Sequence, residues 1–162
     1  MKVGRITLSD RAHNGVYEDG SGPEIERIFR SCWGAPCDFV AMVLPDELEE
    51  ISAALRRLCD QEECALIITT GGTGPSPRDV TPEATRAVLE KELPGFGEVQ
   101  RAVSFATVPT AILSRATAGI RGRTLILNLP GNPAAIAPCL SPLIPALREG
   151  LRHLGHHIPV VR

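Results

Sequence analysis

The stretch LIITTGGTGPSPRDVTPEA, residues 66–84, decides how the rest of the chain is read. Its apolar lead, CALIITT (64–70), is continuous, as expected of a strand buried at the centre of a parallel sheet. The run stops at two threonines. Gly71, Gly72, Thr73 and Gly74 follow at once, and then Pro75, Pro77, Arg78, Asp79 and Pro82. Three glycines in four residues let a backbone turn through positive φ and let another molecule approach its N–H groups. Such N–H groups beside a helix N-terminus make a concave anion site. Thr69, Thr70 and Thr73 offer hydroxyl donors, and nucleotide phosphate is the natural guest. The pattern is neither GxxxxGK[ST] nor GxGxxG, and a tight structural turn is the competing reading.

Outward from this loop the chain alternates strand and helix. KVGRITL (2–8) reads as a strand and SDRAHNGVYEDGSGP (9–23) as a long polar loop. EIERIFRSCW (24–33) has apolar residues at helical spacing behind a proline, and CDFVAMVLP (37–45) reads as a second strand. ELEEISAALRRLCDQ (47–61) is an amphipathic helix with Asp46 placed at its N-cap and acidic residues in its first turns. PEATRAVLEKE (82–92) is predicted to be one helix beginning at Pro82, and Phe96 to Thr107 another. AILSRATAGIRGRTLILNLP (111–130) reads as two strands joined through Gly119 to Arg123, ending in a second loop, GNP (131–133). Ala134 to Leu154 has helical periodicity despite Pro138, Pro142 and Pro145, and the HLGHHIPVVR end has no assigned role.

This order predicts an α/β fold, a three-layer α/β/α sandwich with a mostly parallel sheet, as a single domain over 1–162. In such sheets ligands sit outside the carboxyl ends of the strands. The chain has 162 residues, long enough to bury a core without disulfide or metal staples. A formal net charge of −2 announces no basic face, so nucleic acid is not an expected partner. No apolar run approaches a membrane span, and MKVGRITLSD lacks a signal peptide's apolar region; the expected location is cytoplasmic. Five cysteines, an odd number without CxxC spacing, read as plain buried thiols.

Two carboxylates sharpen the reading. Asp79 lies just past the glycines, and Asp46 ends the neighbouring strand. If the strands pair in parallel, both face one rim. Paired carboxylates beside a polyphosphate hold Mg²⁺, which takes few protein oxygens and shares the rest with phosphate and water. The local alternatives are an N-cap for Asp46 and an Asx turn for Asp79. His13 in the first loop is either a ligand contact or a solvated side chain.

Taken together, TTGGTG with RDVTPEA, SDRAHNGVYEDGSGP, LPDE, PGFGE, PTAILSRATAGIRG and LILNLPGNP resemble the molybdopterin adenylyltransferases of molybdenum-cofactor biosynthesis. This is the MogA and MoaB type, also found as the G domains of gephyrin and the plant Cnx protein. The resemblance runs from Lys2 to Leu154. It implies an enzyme that moves AMP from Mg-ATP to the terminal phosphate of molybdopterin and releases pyrophosphate. A non-catalytic molybdopterin-binding or scaffold module of the same fold is the alternative, and a CinA-type hydrolase a further one.

The resemblance also assigns residues. Asp46 and Asp79 match the two essential carboxylates and would hold Mg²⁺. Gly71, Gly72, Thr73 and Gly74 match the ATP phosphate and adenylate site. Ser114, Arg115 and Asn132, with Gly131 beside it, match the region holding the pterin and its phosphate. Ser9, Asp10, Asp19, Ser21 and Gly22 match the first loop of the site. A homo-oligomer, typically a trimer, and a MoeA-type molybdate-insertion partner are implied as well.

Overall fold

The computed structural model describes residues 1–159. Its frame is one six-stranded sheet: β1 (Lys2–Leu8), β2 (Asp38–Leu44), β3 (Leu66–Thr70), β4 (Lys91–Glu92), β5 (Ala118–Arg121) and β6 (Thr124–Leu129). They lie in the order β2-β1-β3-β6-β5-β4. β2, β1, β3 and β6 are parallel, whereas β5 runs antiparallel to β6 and β4 to β5. The helices are α1 (Asp10–His13), α2 (Ser21–Trp33), α3 (Leu48–Asp60), α4 (Thr81–Arg86), α5 (Gly95–Phe105), α6 (Pro133–Leu140) and α7 (Ile144–His153). None of them is long and apolar enough to cross a membrane.

Alternation along the strands sends apolar side chains to both faces, which is why β3 reads as an unbroken apolar run. Leu66 and Ile68 of β3 join Val3, Leu125 and Leu127 in a core with Ile25 and Phe29 of α2, Ile136 of α6 and Leu147 of α7. Ile67 points the other way and joins Ile6, Leu8 and Ile126 with Ile51, Leu55 and Leu58 of α3 and Ala84 of α4. The result is the three-layer sandwich that the element order predicts.

Three local readings are corrected. The stretch 82–92 is not one helix: α4 ends at Arg86, and Lys91 and Glu92 pair with Ile120 and Gly119 of β5. Long-range pairing overrides the helical pattern there, with Glu90 N–H donating to Ile120 O at 2.8 Å. The cap of α3 is Glu47 rather than Asp46, and it makes no side-chain capping bond. The loop after β1 contains a helical turn, α1, capped by Ser9 Oγ, which accepts from Ala12 N–H.

The strand order changes direction at β1. The chain leaves β1 outward to β2, then returns across it to β3 and continues toward β6. A crevice at such a switch point lies between the carboxyl ends of β1 and β3. The loop after β1 and the glycine loop after β3 meet there.

Candidate active site

The glycine loop is held from several sides. Gly71 donates its N–H to Leu129 O, and Thr70 Oγ1 donates to Pro130 O at 2.7 Å, which fastens the loop to the one after β6. Gly71 has φ +94°, and a Cβ there would collide with Leu8 O. Gly72 has φ +63°, and a Cβ there would collide with Thr81 Oγ1 and lie 3.0 Å from Asp46 Oδ1. Only glycine fits these two positions. Gly71 thus gives its N–H to the scaffold, while no acceptor among the described residues takes the N–H groups of Gly72, Thr73 or Gly74. Thr69 and Thr70 also serve the scaffold: Thr69 Oγ1 accepts from Asn128 Nδ2 at 3.0 Å.

Arg115 braces the opposite side of the loop. Its N–H donates to Thr73 O, its Nε to Gly74 O at 2.9 Å and its Nη2 to Asp79 O at 2.8 Å. Its Nη1 meets Glu83 Oε1. The guanidinium is therefore used inside the protein, shaping the loop.

The glycine loop and the PGN loop after β6 form a ridge between two cavities. One, about 500 Å³, is lined by Gly71, Gly72 and Gly131 with Ser9, Tyr17, Glu18, Ser21, Asp46 and Asp79. The other, about 420 Å³, is lined by Thr73, Gly74, Asn132 and Ser114 with Gln100, Thr110, Leu113, Ala134 and Cys139. Gly131 and Asn132 face opposite cavities, and so do Gly72 and Thr73.

The structure thus brings Asp46 and Asp79 to one cleft. Asp46 Oδ2 accepts the N–H of Asp10 at 3.0 Å, while its Oδ1 is buried with no hydrogen-bond partner among the described residues. Burial, reinforced by the negative charges of Asp10 and Asp79, holds the Asp46 carboxyl above the usual aspartate range. Asp79 Oδ2 accepts Ser76 N–H at 3.2 Å, so the local turn and the cleft share this carboxylate. Ser9 Oγ also lies 2.7 Å from Tyr17 Oη.

Asp10 faces away from the cleft's lining. Its carboxylate takes Arg78, whose hydrogen bonds hold it below the usual range. Asp19 braces the loop after β1: Arg5 Nη1 and Thr7 Oγ1 donate to its Oδ2 at 2.8 and 2.9 Å, and Gly22 N–H to its Oδ1. Asn132 Oδ1 caps α6 by accepting from Ala134 N–H. His13 is exposed, with Nδ1 3.4 Å from Val43 O. The sequence reading singled out neither Glu18 and Tyr17 on the first cavity nor Gln100 and Leu113 on the second. No local pattern marks them, because their roles come from packing across the sheet's rim.

Three acids line the first cleft, namely Glu18, Asp46 and Asp79, and no Lys or Arg among the described residues lines it. A polyanion entering it meets repulsion unless a cation accompanies it. The orphaned Asp46 Oδ1 is the kind of oxygen a hard divalent cation takes. No cluster of three or more His, Cys, Asp or Glu among the described residues could hold a metal unaided. The donor set therefore suits Mg²⁺ that draws its remaining ligands from phosphate and water. These features define an α/β domain with an acid-lined cleft and a second, more apolar cavity on either side of one glycine-rich ridge.

The chain belongs to the family described as "probable molybdopterin binding domain", whose model matches residues 4–149. It is 49% identical over 147 residues to a molybdopterin adenylyltransferase of Helicobacter pylori strain J99, covering 91% of this chain and 84% of that one. It is 47% identical over 140 residues to the Escherichia coli K12 protein of the same name, covering 86% and 72%. The crystal structure of the molybdopterin biosynthesis enzyme MoaB of Thermus thermophilus superposes with a TM-score of 0.89. That match has 41% identity and covers 98% of this chain and 99% of the other.

Proposed function

We propose that this chain is a molybdopterin adenylyltransferase, the activity named for its bacterial relatives. It transfers AMP from Mg-ATP to the terminal phosphate of molybdopterin and releases pyrophosphate. The observation that carries this reading is the ridge: two loops each present residues to both cavities, so two ligands can meet across it. We assign the ATP phosphates to the acid-lined cleft and the pterin to the more apolar cavity beside Ser114 and Asn132.

In this reading Gly72 points its free N–H at the ATP phosphates in the acid-lined cleft, while Thr73 and Gly74 offer theirs to the phosphate of the pterin on the other side of the ridge. Asp46 and Asp79 would hold Mg²⁺ beside the ATP phosphates. Bound there, the ion supplies charge neutralisation for the departing pyrophosphate. The ridge sets the approach: an oxygen of the pterin phosphate forms a bond to the α-phosphorus as the bond from that phosphorus to the bridging oxygen breaks. The pair of electrons leaves with pyrophosphate. A phosphate monoester is already ionised at neutral pH, with a second pKa of about 6, so the chain needs no general base. Its contribution is alignment and preorganised electrostatics.

The test is an adenylylation assay with purified protein, ATP and molybdopterin. The expected result is pyrophosphate release and AMP on the pterin, both requiring Mg²⁺ and both substrates. Binding of the pterin without AMP transfer would favour the scaffold reading.

We further infer a homo-oligomer, a trimer, working in the cytoplasm and handing its product to a MoeA-type partner. Support for self-association comes from exposed apolar side chains gathered on α5 and the turn after it: Val99, Val103, Phe105, Val108, Ile112 and Leu113. Light scattering on the purified chain checks the oligomer directly.

A further inference from the structure

Asp46 follows β2, yet neither its own strand nor α3 orients its carboxylate. That task falls to Asp10, at the start of α1. Asp10 N–H donates to Asp46 Oδ2 and Asp46 N–H donates to Asp10 Oδ1, each at 3.0 Å. This reciprocal pair uses one Asp46 oxygen and leaves the other, buried beside Gly72, without a hydrogen-bond partner among the described residues. Asp10 in turn is gripped by Arg78, with Nε to Oδ2 at 3.0 Å and Nη2 to Oδ1 at 2.9 Å. Nη2 also reaches Glu47 Oε1, the neighbour of Asp46, at 2.8 Å. Arg78 itself stands next to Asp79.

We propose that Arg78 is a positioning residue that latches the loops after β1, β2 and β3 together and so fixes the unpartnered oxygen of Asp46 beside the glycine loop. The inference rests on the reading that Asp46 shares a divalent cation with the nucleotide phosphates. Arg78 acts through Asp10 and does not touch the ligand.

Two physical points favour a latch over a stabilising ion pair. The side chains are 57% and 35% exposed, and ion pairs this exposed contribute little to folding. The two-pronged grip of a guanidinium on a carboxylate does, however, fix orientation. A lysine carries the charge but cannot span both oxygens in one plane. The latch therefore predicts that geometry, rather than charge, matters at residue 78.

The test follows Mn²⁺ binding by electron paramagnetic resonance, in the presence of a non-hydrolysable methylene analogue of ATP. Arg78→Ala is expected to weaken Mn²⁺ binding about tenfold, with Tm within about 2 °C of the parent. Arg78→Lys is expected to behave like Arg78→Ala. Asp10→Asn and the double variant with Arg78→Ala should show the same loss as either alone, since one chain of contacts is broken once. Glu47→Gln should leave Mn²⁺ affinity unchanged, and binding of the analogue in EDTA should be equal in parent and Arg78→Ala.

Parent-like Mn²⁺ affinity in Arg78→Ala would overturn the latch, as would fully additive losses with Asp10→Asn or a rescue by lysine. An equal loss of analogue binding in EDTA would make Arg78 a direct phosphate contact instead. A parent protein that takes up no Mn²⁺ with the analogue would overturn both the latch and the reading beneath it.

Discussion

On one side of the ridge, Gly71, Gly72 and Gly131 share a cleft of about 500 Å³ with Glu18, Asp46 and Asp79. On the other, Thr73, Gly74 and Asn132 share about 420 Å³ with Val108, Leu113, Ala134 and Pro138. The same two loops serve both, so the contrast comes from the remaining walls. The first cleft is walled by the ends of β1 and β2 with their acids, the second by α5, α6 and the 3₁₀ turn at 109–113. In the proposed reading, selectivity on the first side comes from a backbone amide and a cation. On the second it comes from shape and apolar contact.

The sharpest way to break this contrast is Asp46→Asn. The amide keeps an oxygen for Asp10 N–H but loses the charge for Mg²⁺. AMP transfer should fall by at least ~10²-fold, comparable to removing one preorganised electrostatic group, as read in single-turnover assays. Normal turnover would remove Asp46 from the mechanism.

Filling the other cavity should act on the other substrate. Ala134 is exposed in the first turn of α6 and lines the apolar side. Ala134→Phe should raise KM for molybdopterin about tenfold while leaving the affinity for Mg-ATP unchanged, since only one ligand's uniform binding is lost. Equal losses for both ligands would mean that the cavities are not divided as described.

The smallest effect concerns stability and pH in metal-free protein. The folded state holds the Asp46 carboxyl above its ordinary value because of burial and neighbouring charge. Its stabilising contribution is therefore complete below the unfolded value of about 3.9 and is lost as pH rises through the folded value. Asp10 has the opposite sign: Arg78 holds its carboxyl low, so its contribution is present above the unfolded value and lost as pH falls through the folded one. At neutral pH Asp46→Asn should thus be at least as heat-stable as the parent, and the advantage should vanish as pH falls below about 4. A variant that loses activity while keeping or gaining Tm shows a functional charge held against folding.

Much of the fold was legible because it is locally coded. β1 appears as an alternating, β-branched strand and β3 and β6 as apolar runs, and the glycine loop at the end of β3 is set by backbone positions that exclude side chains. What stayed hidden was long-range. Asp46 read as a Mg²⁺ carboxylate or a cap, yet the group that orients it is Asp10, 36 residues away. Arg115 read as a pterin-side residue, but its guanidinium is bound to the glycine loop it shapes. Arg78 carried no signal beyond its neighbour Asp79, because a two-pronged grip on a distant carboxylate leaves no pattern in sequence. The helix expected at 82–92 failed for the same reason, since β4 exists only where β5 arrives to pair with it.

The most direct measurement is a crystal structure of this chain with Mg²⁺ and a methylene analogue of ATP. The account predicts phosphate oxygens on the Gly72 side of the glycine loop, in the cleft of Asp46 and Asp79, and an ion about 2.1 Å from Asp46 Oδ1, with the more apolar cavity left open. A triphosphate lying beside Leu113 and Ala134, or an Asp46 oxygen turned from both ion and phosphate, would contradict it.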